Sequence, residues 1–69
     1  MKVGQRVKFK SGALQGEMAT VTRNPKSGVH EHDGMVWITF DRHNVCVKVG
    51  PAYFTLSPSW YFIEELQVM

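Results

Sequence analysis

The segment Arg6-Val7-Lys8-Phe9-Lys10 alternates polar and apolar residues with a period of two, which is the signature of a strand with one buried face. Val7 and Phe9 are expected inside, and Arg6, Lys8 and Lys10 outside. A second alternation, Met18 to Thr22, turns Ala19 and Val21 to one side. Between the two, Gly12 and Gly16 bound a loop short enough to need a positive φ, which glycine adopts without a Cβ clash. Val3 to Arg23 therefore predicts strand, glycine-bounded loop, strand.

Asn24 to Gly34 is polar and rich in turn formers, with His30, Glu31 and His32 inside it, and is expected to be a long exposed loop and the most mobile part of the chain. Met35 to Asp41 carries the strongest strand pattern, with Val36, Ile38 and Phe40 on one face and Met35, Trp37 and Thr39 on the other. Arg42-His43-Asn44 reads as a turn into Val45 to Val49, and the two segments predict a β-hairpin. Gly50-Pro51 breaks the strand and Tyr53 to Leu56 resumes extended structure. Ser57-Pro58-Ser59-Trp60 predicts a single 3₁₀ turn before a final strand around Tyr61 to Leu66. The alternative is a short α-helix opened by Pro58 and running through Glu65; aromatic and β-branched content favours the strand.

A length of 69 residues implies one domain, close to the size at which a single core can still hold a fold without staples. Cys46 is the sole cysteine, so neither an intramolecular disulfide nor a thiolate metal cluster can form within one chain. No apolar run approaches the roughly 18 residues of a membrane span, and Met1 to Gly4 lacks the hydrophobic region of a signal peptide. A cytoplasmic location and no membrane partner are the expectation.

Charge changes the picture more than composition does. Residues 1–26 hold six cations against one carboxylate, +5, while residues 27–69 hold two against five, −3. Such a chain can present a polyanion with one favourable side.

Gly4, Val7, Phe9, Gly12, Gly16 and Val21 lie where the KOW motif of ribosomal proteins and transcription elongation factors has its glycines and strand hydrophobes, and over about a third of its length the chain resembles that family. Gln15 and Ala19 stand where the family usually has a basic residue and a glycine. The resemblance implies an all-β, five-stranded SH3-like barrel, with nucleic acid or a nucleic-acid machine such as a ribosome or RNA polymerase as partner. Gly4 to Ala13, followed by Gln15-Gly16, is also similar to the first hairpin of the plasmid-encoded type II dihydrofolate reductases, small barrels that act as tetramers. Phe9 occupies that family's lysine position, and Tyr53-Phe54-Thr55-Leu56 lacks the glutamine and tyrosine of its active strand. That likeness is read as shared fold rather than shared chemistry.

Arg6, Lys8 and Lys10, with Arg23 and Lys26, are candidates for phosphate contacts, and Trp37 for stacking on a base. A solvated strand face is the plain alternative for the cations. Met35, Trp37, Trp60 and Tyr61 are candidates for a protein interface or a homo-oligomer seam, since large aromatics and methionine concentrate at interface cores; the plain alternative is core packing. His30, His32 and Asp33 lie on a loop too poorly anchored for a metal site. Cys46 has no identifiable activating partner, and Glu64 and Glu65 on a strand point to opposite faces. The sequence thus reads as a non-catalytic binding module without cofactor. The second hypothesis is a protein-interaction adaptor or inhibitor of the kind that phages and mobile elements encode, and a dihydrofolate-reductase-like oligomeric barrel, implied by the second resemblance, is kept only as an outlier.

Overall fold

Each alternating segment is a strand in the computed structural model, which describes residues 1–42 and 45–69. The elements are β1 (Arg6–Phe9), β2 (Met18–Val21), β3 (Glu31–His32), β4 (Met35–Phe40), β5 (Cys46–Val49), β6 (Ala52–Thr55) and β7 (Ser59–Phe62), then a 3₁₀ turn over Ile63–Glu65 and β8 (Leu66–Val68). Among the described residues there is no α-helix, and no helix long and apolar enough to cross a membrane.

Six strands form one curled antiparallel sheet. From one edge its order is β8, β1, β2, β4, with β3 and β7 both bonded to β4. The Trp37 carbonyl accepts from the Thr22 N–H, and the Trp37 N–H donates to the His30 carbonyl. Thus β2 and β3 share one edge of β4 and β7 takes the other. The remaining two strands, β5 and β6, form a separate hairpin.

The inward positions are those the alternation marks. Val7, Phe9, Ala19, Val21, Val36, Ile38 and Phe40 are all buried, and Leu56 and Leu66 complete the core. The Phe9, Phe40 and Tyr61 rings fill its centre. Phe9 meets Tyr61 edge-on at 5.1 Å and lies against Phe40 at 5.5 Å, and aromatic pairs of this kind are worth about 0.5–1.5 kcal/mol beyond their burial. No polar or charged residue among those described is buried.

The second half of the chain departs from expectation. Strand β4 pairs with β7, not with residues 45–49, which pair with β6 instead. The registry gives the reason: β7 sets Tyr61 beside Val36 on the inner face and Trp60 beside Trp37 on the outer, so both faces of β4 gain a large aromatic neighbour that a valine-rich strand cannot supply. Residues 59–62, expected to begin as a turn, are therefore strand. The single 3₁₀ turn lies later, at Ile63–Glu65, and still directly precedes the last strand. It also takes Glu64 and Glu65 off the strand assigned to them. The expected turn at Arg42-His43-Asn44 falls partly outside the described residues.

Candidate functional site

The outward residues of β1, β2, β4 and β7 share one sheet face, and the registry orders them in rows. Lys8 sits beside Met18, Arg6 beside Thr20 and Thr20 beside Thr39, while Trp37 sits beside Trp60 and Met35 beside Phe62. The face therefore runs from a basic end, through a threonine band, to an aromatic end. Four residues along β2 at about 3.3 Å each and two strand spacings of about 4.8 Å put some 16 Å between the Lys8 and Trp37 backbones.

The cations do not behave as a free row. Arg6 makes two hydrogen bonds of 2.6 Å to the Asp41 carboxylate and a third, of 2.7 Å, to Thr20 Oγ1. These bonds hold the Asp41 carboxyl below the usual carboxylate range and raise the guanidinium further, so Arg6 is committed within the fold. Lys8 and Lys10 are exposed, and no ion pair among the described residues involves them.

At the aromatic end, Trp37 and Trp60 are half-buried and meet edge-to-face with centroids 5.4 Å apart. His32 lies 6.2 Å from Trp60. Phe62 is half exposed on the same face. Of the four residues expected at an interface, Met35, Trp37 and Trp60 are brought together here. Tyr61 is not: it alternates inward onto Phe9 and Phe40, where burial first and the Glu65 charge second push its hydroxyl above the usual tyrosine range. Phe62 and His32 take its place. Reading 59–62 as a strand would have exposed Phe62, since it then shares phase with Trp60; His32 needed the β3–β4 pairing, which places it beside Met35.

The loop expected to be the most mobile completes the site. Asn24 Oδ1 accepts from the Lys26 N–H at 2.8 Å, and the Gly28 N–H reaches the Asn24 carbonyl at 2.7 Å, an Asx turn of the sort that Asn-Pro initiates. The folded loop stands beside Trp60. Asn24, Ser27, Val29, His32 and Trp60 enclose a groove of about 330 Å³. The loop also carries Lys26, exposed, and follows Arg23, which donates to the Gly28 carbonyl at 3.2 Å. The Trp60 ring, the Asn24 amide and the Ser27 hydroxyl thus line one groove at this end, and Arg23 and Lys26 lie in the chain segment next to it. His30 turns away and its Nε2 meets the Met1 carbonyl at 3.0 Å. Among the described residues no cluster of three or more histidine, cysteine or acidic side chains is gathered.

Comparison with family models, curated proteins and solved structures yields no match to this chain, so its function has to be read from geometry.

Proposed function

We propose that the chain is an SH3-like barrel of KOW type that binds single-stranded nucleic acid on the aromatic end of its outer sheet face. Setting aside the two-residue β3 and the β5–β6 hairpin leaves five strands, with the 3₁₀ turn directly before the last, as the resemblance of the first hairpin implies. The observation that carries the binding reading is the Trp37–Trp60 pair, whose Trp60 lines a mainly apolar groove with Asn24 and Ser27 in its wall, with Arg23 and Lys26 in the adjoining chain segment. Bases stack on such rings at about 1–3 kcal/mol each, the Asn24 amide and Ser27 hydroxyl offer hydrogen bonds, and the two cations meet phosphates.

A fluorescence titration with a short single-stranded oligonucleotide tests this. Trp emission should be quenched, and Trp60→Ala should weaken binding at least about tenfold. Lys8→Ala, at the far end of the face, should change it little. Full binding by Trp60→Ala would reject the stacking role.

The exposure of Phe62 beside Met35 favours a second reading, in which the same face seats a protein partner or a second copy of the chain. Then Trp37→Ala abolishes partner capture, Lys8→Ala and Lys10→Ala leave it intact, and oligonucleotides do not compete.

A further inference from the structure

At a different place in the fold, the loop between β1 and β2, the β5–β6 hairpin and the end of the 3₁₀ turn line a second cavity, of about 310 Å³. That is at the small end of the range for ligand sites, about 300–1,000 Å³. Its walls are mainly apolar: Phe9 and Tyr61 form the floor, Leu14 one side, and Phe54, which remains 45% exposed, the hairpin side. Its one charged lining residue is Glu65. The Glu65 backbone is fixed by the Lys10 N–H, which donates to its carbonyl at 2.9 Å. None of the ion pairs among the described residues involves its carboxylate. Burial is the larger cause of the raised Tyr61 hydroxyl, and the charge of that carboxylate adds to it.

Three aromatic rings and one half-buried, unpaired carboxylate define what can enter. A neutral apolar guest would strip water from the carboxylate and return nothing for it. An anion would meet a like charge and the negative faces of the rings. A cation with an apolar surface gains on both counts, since the ring quadrupoles attract it and the carboxylate neutralises it. We infer that this cavity is a binding site for a small organic ammonium ion, seated between Tyr61 and Phe54 with its charge toward Glu65. The site shares no residue with the Trp60 groove, so it stands or falls apart from the nucleic-acid reading.

The test uses choline chloride and its neutral isostere 3,3-dimethyl-1-butanol, each titrated into the labelled chain and followed by amide and methyl NMR. Choline should shift the signals of Ala13, Leu14 and Thr55 with saturation, and the isostere should bind at least about tenfold more weakly. Glu65→Gln should lose a similar factor for choline, with its remaining amide spectrum unchanged and its oligonucleotide quenching intact. Phe54→Ala, on the exposed side of the hairpin, should also weaken choline and tests the wall independently of the charge. Equal binding of choline and the isostere, unchanged affinity in Glu65→Gln, or no saturable shift at these residues would each overturn the assignment.

Discussion

Asp41 shows how one side chain can remove another from a binding face. Its carboxylate takes both Arg6 bonds at 2.6 Å, so the cation that alternation places first in the basic row neutralises a neighbour instead of a phosphate. The pairing leaves a pH signature. The Asp41 carboxyl is held below its ordinary value of 3.8 by the hydrogen bond from Arg6. Because the folded value lies below the unfolded one, the contribution to stability is complete above the ordinary aspartate range and is lost as pH falls through the folded value. The thermal midpoint of Asp41→Asn should therefore lie a few degrees below that of the parent between about pH 7 and about pH 5. The gap should narrow as pH falls below the ordinary aspartate value and close once Asp41 is protonated in the folded chain; a gap that persists when it is protonated would show that the bridge is not its source. Phe9 marks the other extreme of the residue scale. It is 1% exposed and touches both other core rings, so Phe9→Ala should cost about 3–5 kcal/mol. That is comparable to the whole stability of about 3–5 kcal/mol that one core supplies at this size. Circular dichroism at 25 °C should find the variant largely unfolded.

The β5–β6 hairpin is the element least tied to the rest. It pairs with no strand of the main sheet, Tyr53 is 68% exposed, and its links to the core run through Val47 and the adjoining Leu56. A two-stranded hairpin is marginal by itself, so it should open without global unfolding. Native-state hydrogen exchange should show the amides of Lys48, Tyr53 and Phe54 exchanging at least about a hundredfold faster than those of Val7, Val21 and Ile38. Equal protection would make the hairpin part of the cooperative core. The same element shows what the sequence could and could not disclose. Alternation located β1, β2 and β4 and their inward residues, because a two-residue period records which face meets the core. It did not identify the partner of β4, because pairing depends on which distant segment best covers both faces, and that choice turned on Trp60 and Tyr61. Reading Ser57 to Trp60 as a turn loses the phase of 59–62, and with it the exposure of Phe62 and the inward turn of Tyr61. The groove beside Trp60 was hidden for a related reason, since it joins a loop at 24–29 to a strand more than thirty residues later.

Across the whole molecule, the formal charge of +2 conceals where usable cations stand. Arg6 and Arg42 are spent on Asp41 and Glu17. Lys8 and Lys10 remain exposed, but Lys8 is separated from the tryptophan pair by the Arg6–Asp41 bridge and the threonine band. Arg23 and Lys26 adjoin the groove that Trp60 lines. The salt dependence of oligonucleotide binding distinguishes the two ends of the face, because each phosphate neutralised on a single strand contributes about −0.7 to the slope of log K against log salt. Binding at the Trp60 end engages two cations and should give a slope of about −1.4, whereas recruiting Lys8 and Lys10 as well would give about −2.8. Removing one groove cation, as in Lys26→Ala, should reduce the slope by about 0.7, and Lys10→Ala should leave it unchanged. If Lys10→Ala reduced the slope and Lys26→Ala did not, the strand would cross the basic first hairpin and the groove would not be its site. If neither substitution moved a slope already near zero, the aromatic face would be left to a protein partner, for which Met35 and Phe62 supply the apolar surface.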